Sequence, residues 1–359
     1  MFTISTSVRG EMMRLFIAEL RKLLISNRAL IFIVTAVILQ IILSFVPKTY
    51  EHSYSPEVYR KYTELLAGEV TPEKVKFLQE KCDEYTAAIS GYPEKYAEYL
   101  DGSITIEEFS LFTEQNVIAS AELSTVEYLL NKAGSFNGSF KAEFFYDTDF
   151  ENFFAENGFD FLLLPAVLCI VVPVFGIEYS GNSTQMILVS KNGRVRLAVL
   201  KILASCVIVY LLSWVMSALR LGFFVSLHGT ENFGKSAGNL LNCGGVNNVS
   251  ILQYYLVDSL VKAVCWTVLA VFICMVTTIC RNTGFSFILS FLTISAPLLL
   301  NGLGGNELLG YFFDTVVLSG MYRASFSFWV FAVAAVVKAA AFGVISARCW
   351  IRSERQAKE

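Results

Sequence analysis

Enzymatic chemistry needs nucleophiles, proton carriers or metal ligands at workable spacing, and this chain is poor in them. Its only histidines are His52 and His228. Neither a Ser-His-Asp arrangement nor a histidine-based metal site is therefore expected. None of the eight cysteines forms a Cys-x-x-Cys pair, so a zinc or thiol-redox motif has no support. Cys169, Cys206, Cys265, Cys274 and Cys280 lie in apolar blocks and read as small packing residues. No Gly-x4-Gly-Lys-Ser/Thr phosphate loop and no His-Glu-x-x-His pair is present. The expectation is a chain that is not an enzyme, with no metal and no cofactor of its own.

The residues that stand out are charges inside apolar blocks: Arg220, Asp258, Lys262 and Lys338. A charge at the centre of a membrane helix costs about 2.5–3.5 kcal/mol, less near an interface. Asp258 and Lys262 are four residues apart and can pair on one helix; Asp258 can instead meet Arg220 across helices. These three read either as a structural charge cluster with snorkelling side chains or as part of a translocation path. Lys338 lies about 15 Å of helix from Arg348, near mid-membrane. Ala335, Ala339 and Gly343 form a small-residue stripe beside it that favours close helix packing. Lys338 can face a path and meet an anionic group, or pair within the bundle.

The elements that must position these charges are membrane spans. The chain has 359 residues, of which only 16% are charged, against about 25% in soluble domains. A span needs about 20 mainly apolar residues. Six segments are expected: 29–46, 161–177 with Pro165 and Pro173, 197–227, 251–280, 285–303 and 326–347. Basic residues cluster before the first, between the second and third, at Arg281, and after the sixth. With six spans, all four groups fall on one side, which the positive-inside rule makes cytoplasmic. Both termini are then inside, 348–359 being a basic tail, and residues 47–158 are outside. Residues 47–158 hold 21 acidic and 9 basic side chains, an acidic outer domain on a basic membrane part. Cys82 and Cys243 can share the outer face, without any disulfide being readable from that.

Residues 1–28 carry five basic side chains and two glutamates and do not read as a cleavable signal. Met13, Phe16, Leu20 and Leu23 recur at helical spacing, which predicts an amphipathic helix in the cytoplasmic interface, broken from the first span at Ser26-Asn27-Arg28. In the outer domain Thr71-Pro72-Glu73 reads as an N-cap with proline at the first helical position. Val75, Leu78, Cys82, Tyr85 and Ile89 follow as a 3-4-3-4 seam. Thr105 and Glu108 form a capping box opening a long helix to Lys132, with Gly134 ending it. About three helices are expected in this domain.

The connection Glu178–Lys201 joins the second and third spans and holds an apolar patch, Met186 to Val189, between polar flanks. It suits a short cytoplasmic helix for a protein partner, and equally an ordinary loop whose basic residues anchor topology. The stretch resembles one found in ABC-2 type transporter permeases, which often begins Glu-(Tyr/Phe), carries Gly-Thr, and continues through a Leu…Ser-Arg segment to a Lys seven residues after the Arg. Glu178, Tyr179, Gly181, Leu188, Arg194 and Lys201 match it. Gly181-Asn182 departs from the frequent Gly-Thr, and Asn192-Gly193 stands where Ser is common.

The resemblance extends to the whole plan of interfacial helix, span, outer insertion and five further spans. It implies an all-α polytopic permease that pairs with a second permease subunit, identical or related, and with a separate ATPase carrying ATP and magnesium. Residues 178–196, including Met186, Ile187 and Leu188, would be the ATPase-coupling segment. Export of an unspecified substrate across a bacterial plasma membrane is the expected activity, with lipid around the bundle and no nucleic-acid partner. The alternative is a non-transporting membrane sensor or immunity component that binds a peptide or antibiotic through residues 47–158. A secondary transporter and a membrane enzyme have less support, since neither inverted repeats nor a catalytic constellation is visible.

Overall fold

The computed structural model describes residues 6–26, 28–46, 50–136, 141–156, 162–180, 195–240, 249–302 and 328–356. The chain is all-α. Its helices are α1 (Thr6–Arg21), α2 (Ala29–Ser44), α3 (Pro56–Leu65), α4 (Pro72–Ser90), α5 (Tyr92–Leu100), α6 (Ile106–Ser135), α7 (Thr148–Glu156), α8 (Leu163–Ser180), α9 (Val195–His228), α10 (Ile251–Cys280), α11 (Thr283–Gly302) and α12 (Phe328–Gln356). Two-residue strands β1 (Gly68–Glu69) and β2 (Glu143–Phe144) pair antiparallel. The chain divides into two compact units. One is Met1–Pro47, Asn157–Gly229 and Tyr255–Glu359; the other is Lys48–Glu156 and Thr230–Tyr254.

In the first unit, Val195–His228, Ile251–Cys280 and Ala332–Arg352 are long and apolar enough to cross a membrane. A fourth such element exists if Met12–Ile25 and Ala29–Ser44, bent by 58°, count as one. Leu163–Tyr179 and Thr283–Ala296 are shorter apolar helices. At 1.5 Å per residue the 34 residues of α9 extend about 50 Å, well past a hydrocarbon core of about 30 Å. The packed centre includes Val167, Phe175, Trp266 and Ile273, all fully buried. Pro173 lies inside α8 without ending it. A Cβ on Gly176 would sit 2.6 Å from Thr283 Oγ1, so only glycine permits this approach of α8 to α11.

The break before α2 falls where expected. Lys22–Ser26 form a π turn, and Arg28 takes the left-handed conformation at φ 59°. The apolar face of α1 and the π turn is only partly covered: Leu23 of the turn is buried and Leu20 packs against the core, whereas Met13 is 61% exposed.

Among its described residues the second unit holds five α-helices, α3 to α7, where about three were expected. Lys74 N donates to Thr71 Oγ1 at 3.4 Å to cap α4. Thr105 and Glu108 form the capping box of α6, with Glu108 Oε2 accepting from Thr105 N at 2.9 Å. Of the α4 seam, Leu78 is fully buried, and Cys82 and Tyr85 pack against the core around Val126 and Leu129. α6 ends at Ser135, one residue past Gly134. The last turn is tied to the rest of the unit through Lys132, whose buried ammonium pairs with Asp147 and donates to Tyr59 Oη at 3.0 Å.

The unit is also larger than the expected 47–158, because Thr230–Tyr254 belongs to it. Asn239 Oδ1 accepts from Glu143 N at 2.9 Å. Phe233 meets Phe150, and Tyr254 meets Phe154, with ring centroids 5.2 and 5.4 Å apart. Cys82 is a free thiol; Cys243 lies outside the described residues.

Candidate functional site

The inward face of α9 begins with Ala198, Lys201, Ile202 and Ser205, all buried. Helical spacing therefore carries a lysine into the core, and a buried ammonium is tolerated only with partners. Those partners come from two other elements. On α8, Val171, Phe175 and Glu178 share a buried face, which brings the Glu178 carboxylate to the helix end. On α1 and the π turn after it, Glu19 and Lys22 are three residues apart and lie on one side.

Lys201 Nζ stands 2.7 Å from Glu178 Oε1 and 3.0 Å from Glu19 Oε2, and also donates to the Val174 carbonyl at 3.4 Å. Lys22 Nζ is 2.6 Å from the same Glu178 oxygen. Among the described residues, two carboxylates and two ammoniums thus meet in one cluster. Glu178 and Lys201 are almost fully enclosed, and Lys22 is about two-fifths exposed at 39%. The Phe175 ring lies 5.9 Å from the Lys201 ammonium. Buried Trp350 of α12 packs on Phe175 and Tyr179 with centroids 5.3 and 5.5 Å apart. The ends of α1, α8, α9 and α12 therefore meet here.

The cluster ties together the two helix ends that bound residues 181–194 and fastens both to α1. Glu178 and Lys201, singled out in the sequence as the two ends of one segment, are in direct contact. Gly181, Met186, Ile187, Leu188 and Arg194 lie outside the described residues. Glu19 and Lys22 were missed as site residues. Their signal was an acid and a base three apart where α1 passes into the π turn, counted in the sequence only within the charge of residues 1–28.

The other singled-out charges lie on long helices. Lys262 Nζ and Asp258 Oδ2, both buried on α10, are 3.5 Å apart, the pairing within one helix. Arg220 on α9 and Lys338 on α12 are half-buried. Beside Lys338, Ala335 is buried and Ala339 packs against the core. A Cβ on Gly343 would be 3.9 Å from Val271 Cγ1, so the small-residue stripe turns toward α10.

The second unit has its own buried polar network. Tyr59 donates to Asp147 at 2.7 Å, and Tyr128 donates to both oxygens of Glu151 at 2.9 Å. Burial and the carboxylates push the Tyr59 and Tyr128 phenols far up, which keeps both hydroxyls protonated as donors. Each polar group here satisfies another, and the network reads as a fold lock. Among the described residues, no three His, Cys, Asp or Glu side chains converge to hold a metal ion. No protein-family model matches the chain, and neither a curated protein nor a solved structure does.

Proposed function

We propose that this chain is the membrane subunit of an ATP-driven exporter of the ABC-2 type, working as a permease dimer with a separate ATPase that carries ATP and magnesium. The Glu178–Lys201 contact carries this reading. A push on residues 181–194 from an ATPase would otherwise bend the chain locally. With Glu178, Lys201, Glu19 and Lys22 locked together, the push reaches α8, α9 and α1 as one body. Conformations of the dimer would then be biased by nucleotide bound to the partner chains.

Chain continuity supports the six-span plan with both termini inside and the acidic unit outside. Residues 48–156 and 230–254 fold as one unit. The end of α2, the start of α8, the end of α9 and the start of α10 all lead into it. That connectivity favours α8 and α9 crossing as a pair. With that paired crossing, α8 with its 18 residues and α11 with its 20 span about 27 and 30 Å, enough for the hydrocarbon core.

Two experiments test the proposal. In a cysteine-free background, Ser90→Cys should label in intact cells with an impermeant reagent and Ser353→Cys should not; the reverse pattern overturns the orientation. Co-expressed with its ATPase subunit, the Met186→Ser/Ile187→Ser/Leu188→Ser variant should insert normally and lose the ATPase on purification. Full retention removes residues 178–196 as the coupling element.

A further inference from the structure

The helix α5 and the first half of α6 differ from the rest of their unit. From Tyr92 to Ile118 no side chain is buried, and the buried residues of α6 begin at Ala119. Aromatic contact holds this tip together. Tyr99 stacks on Phe109 with centroids 4.6 Å apart, and Tyr92 packs on Phe109 and Phe112 at 5.9 and 6.1 Å.

Because Phe109 and Phe112 turn to α5, the opposite face of α6 is left open. On that face Glu107, Leu111, Glu114 and Ile118 recur at 4-3-4 spacing, one stripe of a helix. All four are exposed, Leu111 by 59% and Ile118 by 55%. Acid and apolar side chains alternate along it. Residues 92–118 carry six acidic side chains against the single Lys95, and Lys95 is already paired with Glu98 at 2.6 Å.

We infer that this stripe is a docking face for a cationic amphipathic helix presenting lysine-type and leucine-type side chains at matching spacing. Charge selects the occupant. A second copy of the tip would bring acid against acid, and an anionic lipid surface would repel it. Exposed leucine and isoleucine call for an apolar cover, and a helix laid along a helix supplies it through a heptad-like seam. The binding needs no ATPase, so the inference stands or falls apart from the exporter proposal.

The test uses the full chain in nanodiscs of zwitterionic lipid. The probe is a labelled synthetic amphipathic helix of leucine and lysine, with a leucine and glutamate helix as control, read by fluorescence anisotropy. The lysine helix should bind saturably, with affinity falling as salt rises, and the glutamate helix should not bind. Glu107→Gln/Glu114→Gln should weaken binding about tenfold and flatten the salt dependence. Leu111→Ser/Ile118→Ser should weaken it about tenfold while keeping that dependence. Glu73→Gln/Glu80→Gln on α4 should leave binding unchanged. The four stripe side chains are exposed, so both stripe variants should melt like the parent. Equal binding of the two helices, or an α4 effect as large as the stripe effect, overturns the inference. So does a stripe variant that alters self-association and leaves peptide binding intact, since a second copy would then be the occupant.

Discussion

Replacing Lys201 with methionine removes the most enclosed charge of the Glu19–Lys22–Glu178–Lys201 cluster while nearly preserving side-chain volume. Among the described residues the cluster pairs two carboxylates with two ammoniums. Lys201→Met takes one positive charge away from beside Glu178, whose side chain is 3% exposed. Lys22 still contacts Glu178 at 2.6 Å but reaches it from a partly hydrated position. Glu19, with 15% side-chain exposure, can shed part of its penalty to water. Breaking a buried pair by removing one partner costs about 3–5 kcal/mol, and these two escapes put the expected loss near about 3 kcal/mol. Glu178→Gln/Lys201→Met removes the Glu178 charge as well and leaves Glu19 opposite Lys22. The double variant should therefore be more stable than Lys201→Met alone, with a coupling energy of about 1–3 kcal/mol. The unfolding equilibrium in bicelles, followed by steric trapping for the four members of the cycle, measures this. Additive losses, or a Lys201→Met variant as stable as the parent, would refute the claim that the cluster is a tightly coupled lock.

Three further outcomes follow from the geometry. Gly176→Ala drives a methyl into Thr283 Oγ1 and should destabilise by about 1–3 kcal/mol, with Thr283→Ala recovering most of the loss in the same unfolding assay. Lys338→Met should lower transport and leave expression and ATPase assembly intact; unchanged transport would assign Lys338 to packing. In the second unit, burial raises the Glu122 carboxyl, but hydrogen bonds from Tyr62, Lys61 and Tyr85 and the Lys61 charge outweigh it and hold the group below its ordinary value of 4.5. The folded state thus binds that proton less tightly than the unfolded chain. Its contribution is full above about pH 4.5 and is lost as pH falls through the lower folded value, so Glu122→Gln should flatten the acid limb of the stability profile.

Elements defined by local signals were legible in the sequence. The Thr71 cap, the Thr105–Glu108 box and the break at residues 26–28 each depend on neighbours within a turn, and each recurs in the structure. The long helices 195–228 and 251–280 match runs of apolar residues that need no partner to be recognised. Contacts distant along the chain were not legible. Glu19 meets Lys201 across 182 positions, and Asn239 meets Glu143 across 96, and no spacing rule reaches that far. α6 ends at Ser135, one residue past Gly134, so this local stop signal placed the helix end to within a residue. The Glu178–Lys201 pair is intermediate. Both residues were legible as members of one segment, but their contact depends on two helix faces turning inward together.

The most direct test of the central claim is ATP turnover by the ATPase subunit reconstituted with this chain in nanodiscs, compared for the parent, Met186→Ser/Ile187→Ser/Leu188→Ser and Lys201→Met. The exporter account predicts that the parent chain holds the ATPase and changes its turnover relative to the isolated subunit. The triple serine variant should return turnover to the isolated level, and Lys201→Met should keep the ATPase bound while weakening the change. Turnover that is the same with the parent chain, with either variant and without the chain would contradict it.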